Sequence, residues 1–212
     1  MSPVLGNVWA RWAQKRPLLT ISLTNGAMGG IGDALAQSAA AAQPDGALQY
    51  NPLRTLRFFA YGCMFGPVAY KWYSALDRRL PLPRTTLKRA AGTASTSAGR
   101  LWAIGKRVAV DQAVFAPAAV GAFFVVMGAM ERKPFPEIRA SLCEKYPGTL
   151  AWNYALWPWA QLVNFSVIPL IYRVPFSALV GIIWNMCLSW VNSRAPSADR
   201  PQPEDTRHTS AP

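Results

Sequence analysis

Between residues 146 and 193 the sequence carries a single charged side chain, Arg173. The two uncharged runs beside it, 146–172 and 174–193, each match the roughly 20 residues that a helix needs to cross a hydrocarbon layer. Three further stretches have the same character. Residues 17–41 are rich in Leu, Ala and Gly and are interrupted by Asp33, and residues 56–76 hold Lys71 near their end, where a long side chain reaches the interface. Residues 108–130 hold Asp111 one turn inside and Pro117 beyond it. Composition agrees with a bilayer as the solvent. Of 212 residues 51% are hydrophobic and 15% charged, against about 25% charged in soluble domains. Lys and Arg number 22 against 10 acids, for a net charge of +12. Few charges, mostly of one sign and placed in the connections, suit a membrane protein and argue against a soluble enzyme or a nucleic-acid-binding domain.

The expected fold is therefore all-α, an integral membrane bundle of about four transmembrane helices plus an interfacial or re-entrant Trp-rich segment. That segment, 149–172, mixes Asn153, Gln161, Asn164, Pro158 and Pro169 with Trp152, Trp157 and Trp159, and tryptophans gather at membrane interfaces. Five spans is the alternative count. Residues 1–16 read as an amphipathic helix, with Leu5, Val8, Trp9 and Trp12 at helical spacing and Arg11, Lys15 and Arg16 on the flank. Residues 17–193 form the single bundle domain, and 194–212 read as a disordered polar tail. Residues 38–47 and 85–105 read as variable connections. With four spans both termini share a side with the connection 78–107, which holds eight basic residues and no acid.

Charged and polar residues inside the spans are the candidate site. A charge at mid-span costs about 2.5–3.5 kcal/mol, so Asp33 and Asp111 must face water or a partner. One reading makes them the lining of a polar path that favours cations. The other pairs each with a basic residue, and Arg107 stands one helical turn from Asp111. Gln112, Gln161, Asn164, Asn185 and Ser189 admit the same two readings, pore lining or interhelical glue, with packing preferred. Gly26 with Gly30, and Gly62 with Gly66, stand four apart and let helix backbones approach closely. Packing within the chain is the preferred use, and a homo-oligomer contact the alternative.

Other chemistry finds no footing. The three cysteines exclude a disulfide framework. Cys63 and Cys187 fall in spans as packing residues, and Cys143 falls in a polar connection. The one histidine, His208, lies in the polar tail, so a histidine-based metal site or triad is not expected. No nucleophile elbow, metal spacing or acid–base pair is present. The expectation is no enzyme, no cofactor and no nucleic-acid partner. The partner is the bilayer itself, with its anionic lipids near the basic connections. No transported solute can be read from the chain.

Several blocks resemble the Mpv/PMP family of mitochondrial and peroxisomal membrane proteins. The opening, from Trp9 to Pro17 and then Gly29-Gly30-Ile31-Gly32-Asp33 with Gln37, is similar to the family's start. Gly66-Pro67 with Trp72-Tyr73, Leu76 and Asp77, then Asp111-Gln112 with Pro117, continue the likeness. The most specific block is Tyr146-Pro147, Trp152-Asn153-Tyr154, Trp157-Pro158, Gln161, Asn164-Phe165, Pro169, Tyr172-Arg173 and Trp184-Asn185. The resemblance runs from about residue 5 to 194; longer connections at 38–50 and 84–105 and the polar tail depart from it. It implies a small integral protein of about four helices in the mitochondrial inner or peroxisomal membrane. It further implies a channel-like, weakly selective pore, or a factor in metabolite and redox balance. Asp33, Asp111, Gln112, Trp157, Gln161, Asn164, Trp184 and Asn185 are the positions carried over. A start free of acids before Asp33 favours the mitochondrial inner membrane, with the peroxisomal membrane as alternative. A non-conducting organiser acting through protein partners is the competing function.

Overall fold

The computed structural model describes residue 9 and residues 11–42, 50–83 and 94–194, with side chains described for all of these except 94–97 and 186–194. The expectations for Leu5, Val8, His208, the polar tail after residue 194 and the side chains of Cys187 and Ser189 lie outside the described residues. The described secondary structure is all helix, with no strand. Residues 11–15 are helical and break at Arg16, where α1 begins (Pro17–Ala41). Then follow α2 (Pro52–Arg79), α3 (Ala94–Val110), a π-helical turn (Asp111–Phe115), α4 (Ala116–Met130), α5 (Phe135–Val167) and α6 (Leu170–Arg194). Prolines open α1, α2, α4 and α5 within the first two positions, where the missing N–H costs nothing. Asn51 caps α2 by accepting from the Arg54 N–H at 3.0 Å.

Helices α3 and α4 continue one another through the π turn, so residues 94–130 form one rod. Its stretch Ala98–Met130 is the one helix among the described residues that is both long and apolar enough to cross a membrane. The connection read at 85–105 is thus helical from Ala94 onward, because Leu101, Trp102 and Ile104 extend the apolar pattern of the span backward. Pro117 accounts for the π turn. Its ring displaces the carbonyl one turn earlier, and widening the backbone there lets the Ala116 N–H reach back to the Asp111 carbonyl.

Side-chain contacts fix the direction of every helix. Helix α2 runs back along α1, with Ser22 donating to the Cys63 carbonyl and Asn25 to the Gly62 carbonyl at 2.8 Å. The rod runs back along α2, with Trp72 bonded to Asp111 at 2.8 Å and Tyr61 against Phe123. Helix α5 runs back along the whole rod. Ile138 packs beneath Gly128, Tyr146 donates to the Pro117 carbonyl, Tyr154 to the Gln112 carbonyl, and Arg100 to the Ser166 carbonyl. Helix α6 runs with α1, Trp9 stacking on Tyr172 at 5.1 Å and Gly32 lying against Ile182. The chain thus makes five passes through the bundle, and most of the Trp-rich segment is the second half of a continuous 33-residue helix about 50 Å long. Pro147 and Pro158 lie inside that helix, and the break comes at Ile168–Pro169 instead. An odd number of passes also puts the start of α1 and the end of α6 at opposite ends of the bundle, where four spans had placed both termini together. One end, here called the basic end, gathers Arg16, the end of α2, the start of α3 and the α5–α6 junction.

The polarity of the bundle is inverted relative to a soluble protein. Large apolar side chains such as Leu23, Ile31, Leu56, Met64, Val114 and Ile183 point outward and are more than half exposed. Asp33, Asp111, Gln112, Asn153, Gln161 and Asn164 point inward and are buried. Soluble domains rarely expose so broad an apolar surface, and polar groups in bilayer-spanning segments turn to the interior.

A vestibule between the helices

The five passes enclose a cavity of about 1170 Å³. At the far end its wall holds Arg54, Glu144 and Lys145, and it extends to Tyr73, Asp111, Gln161 and Ser177 in the middle of the bundle. Between those levels the wall is largely aromatic, with Tyr61, Phe115, Phe123, Trp157 and Trp184. Asp33, Asp111, Gln112, Gln161 and Asn185 all line this one space. Asn164 stands behind it, fully buried, donating to Gln161 Oε1 at 2.8 Å and to Ser177 Oγ at 3.2 Å. Of the residues expected as family signatures, Trp152, Asn153, Trp157 and Trp184 also face the cavity. Tyr154 braces the π turn through the Gln112 carbonyl, Pro158 lies within α5, and Pro169 follows its end.

The two buried acids are held in different ways. Asp33 forms an ion pair with Arg54 at 2.8 Å and accepts from Gln37 and Thr55, each at 2.7 Å. Helix α2 supplies both Arg54 and Thr55 because Gly29 and Gly30 let its first turns lie against α1. Asp111 has no ion-pair partner among the described residues. Its Oδ1 accepts from Trp72 Nε1 at 2.8 Å, and its Oδ2 from Gln112 Nε2 and Gln161 Nε2, each at 2.9 Å. The expected partner, Arg107, is one turn away but turns to Asp77.

That turn builds a seal at the basic end. Asp77 Oδ1 bridges Arg107 and Arg173, at 2.8 Å from the latter. Arg107 also donates to the Leu80 carbonyl at 2.8 Å and Arg173 to the Ile168 carbonyl at 3.1 Å, so the arginines close the ends of α2 and α5. Both arginines are buried. Phe165 lies beneath Arg173 at 5.4 Å and edge-on to Tyr73, and with Ile21, Leu76, Ile104 and Val174 it forms the apolar core of the molecule. None of Asp77, Arg107 and Arg173 lines the cavity, which ends above them.

The glycines sit where α1 meets α2. A Cβ on Gly62 would lie 2.6 Å from the Asn25 carbonyl oxygen, and one on Gly66 would lie 3.1 Å from that of Ile21. Gly26 meets Phe59 and Cys63 in the same way, and Gly30 meets Thr55 and Phe59. These surfaces are used within the chain. Cys63 belongs to the same contact, and Cys143 is exposed on α5.

An inverted helical bundle with a buried polar interior is a membrane protein, and the comparisons with known proteins say which kind. The model of the Mpv17 / PMP22 family matches residues 128–189, which are the end of α4, all of α5 and most of α6. Protein SYM1 of Eremothecium gossypii is 36% identical over 190 residues, covering 87% of this chain and 93% of that one. The mitochondrial inner membrane protein Mpv17 of Homo sapiens is 36% identical over 169 residues, covering 79% and 86%. Protein sym1 of Schizosaccharomyces pombe is 34% identical over 194 residues, covering 85% and 87%. No solved structure matches the chain. The chain belongs to the Mpv17/PMP22 family, and its compartment is the mitochondrial inner membrane.

Proposed function

We propose that the protein is a channel-like pore for small solutes in the mitochondrial inner membrane, with the seal at the basic end as its gate. The observation that carries this reading is the vestibule. A cavity of about 1170 Å³ is lined from Glu144 and Lys145 on α5 down to Tyr73 and Asp111, and the Asp77–Arg107–Arg173 cluster and the packed core stand between those residues and the basic end. A bundle built only for packing gains nothing from such a space, because voids forfeit dispersion contacts. In this reading all five passes cross the bilayer, with 17–193 as one domain. The rod supplies the most apolar pass, and α5 lies along its whole length. The basic end carries the connection 78–107 and faces the more positive side, against anionic lipid.

The role first read for both acids narrows to one. Asp33 carries its own counter-charge in Arg54, so a cation preference rests on Asp111. Single-channel recording of the purified protein in planar bilayers tests this. Asp111→Asn shifts the reversal potential in a salt gradient toward zero, whereas Asp33→Asn leaves it close to that of the unmodified protein. Discrete currents absent from inserted, folded protein, or a selectivity indifferent to Asp111, overturn the reading. The organiser alternative loses one of its supports, since the glycine surfaces that would recruit partners are spent on the α1–α2 contact. No catalytic step is assigned to the site.

A further inference from the structure

We infer that the floor of the vestibule is a binding site for a primary organic ammonium ion, held by Asp111, Gln112 and the aromatic wall above them. Asp111 is 1% exposed and no Lys or Arg among the described residues pairs with it. A buried carboxylate with no counter-charge is a costly arrangement that a ligand cation relieves. Its hydrogen bonds leave room for one more donor. A carboxylate has about four acceptor positions, and Trp72, Gln112 and Gln161 take three.

The neighbouring amides point to the same ligand. Gln112 is more than nine-tenths buried, and its Nε2 is spent on Asp111, which leaves Oε1 bare beside the carboxylate with no hydrogen-bond partner. Asn153, equally buried and further up the same wall on α5, also leaves its Oδ1 without a partner. A buried unpaired acceptor costs about 1–3 kcal/mol, so these oxygens call for a donor from within the cavity. The unmet side-chain atoms of Gln112 and Asn153 on the cavity wall are both acceptors, and Asp111 at its floor is an acid with no ion-pair partner among the described residues. An ammonium group supplies three N–H donors and a positive charge together.

The rest of the wall selects an organic cation over a bare metal ion. Phe115 and Trp157 line the same space, and aromatic faces attract cations while burying an apolar stem. A hydrated potassium ion finds no such match. Naming this class as the permeating solute rests on the pore reading; binding at the site does not.

The test uses full-length protein in lipid nanodiscs and isothermal titration calorimetry at constant ionic strength. The probes are n-butylammonium, tetramethylammonium and potassium chlorides. The first has donors and a stem, the second has charge without donors, and the third has charge alone. Saturable n-butylammonium binding is expected, about tenfold tighter than either other ion, as suits charge-assisted hydrogen bonds. Asp111→Asn should weaken it about tenfold. Asn153→Asp, which keeps the oxygen and adds charge, should tighten it several-fold, a gain that a damaged fold does not produce. Equal affinity for the three ions overturns the ammonium assignment. No saturable binding by folded protein, or an affinity unchanged in Asn153→Asp, overturns the site. Bilayer recording on the same samples separates the two claims, since binding without current removes the pore and leaves the site, and current without binding does the reverse.

Discussion

At the residue scale the seal rests on one carboxylate. Asp77 holds two buried arginines in place, and its own side chain is 27% exposed. Replacing it by Asn leaves two like charges facing each other beneath the vestibule. Breaking a buried pair costs about 3–5 kcal/mol, and the partial exposure of Asp77 puts the expected loss at the low end of that range. Thermal unfolding in detergent should show a lower Tm for Asp77→Asn, and bilayer recording should show openings at lower driving force than in the unmodified protein. A second prediction concerns Gly62. No side chain fits 2.6 Å from the Asn25 carbonyl, so Gly62→Leu must push α1 from α2, at about 1–3 kcal/mol or more. Gly105→Leu, with open space around it, should leave the Tm unchanged.

The elements show how much of the site was legible in the sequence. The acids were, because Asp33 and Asp111 interrupt apolar stretches and the cost of burying them is general. Gln161 and Asn164 read, with Gln112, Asn185 and Ser189, as pore lining or interhelical glue; Asn164 donates to Gln161, which faces the cavity. The seal was not legible. Arg173 read as a separator between two spans, Asp77 as part of a family-like block and Arg107 as a partner for Asp111 at the end of the connection 78–107. Their meeting depends on which helices lie side by side. Helices that are apolar all round carry little periodic signal of that choice. The lone charge in 47 uncharged neighbours was the clue available for Arg173. The path of 149–172 was hidden for a related reason, since prolines and amides made it look interfacial, yet Tyr146, Tyr154 and Gln161 use their polar atoms to bond this helix to the rod. That register is testable. Cysteines placed at Gly128 and Ile138 should cross-link on mild oxidation, whereas a pair at Gly128 and Trp159 should not.

For the whole molecule, five passes put the start of α1 and the end of α6 at opposite ends of the bundle. Epitope tags at the N and C termini should therefore differ in protease sensitivity in mitochondria stripped of their outer membrane, one cut and the other cut only after the inner membrane is opened. Equal sensitivity of both tags would restore an even number of spans. The distribution of charge follows the same axis. Among the described residues Asp77 is the acid at the basic end, while Glu131, Glu137 and Glu144 lie at the opposite end, near the start of α5.

In the pore reading, a vestibule that admits water is also an electrical object. Solvent that enters from one side carries the potential of that side inward, so the voltage across an energised membrane falls mainly over the thin layer where the cavity stops. Arg107 and Arg173 sit in that layer. Moving one charge through 100 mV is worth about 2.3 kcal/mol, comparable to a good part of the ion bridge that holds these residues still. In the pore reading, the depth of the cavity would give these two arginines leverage over most of the membrane voltage.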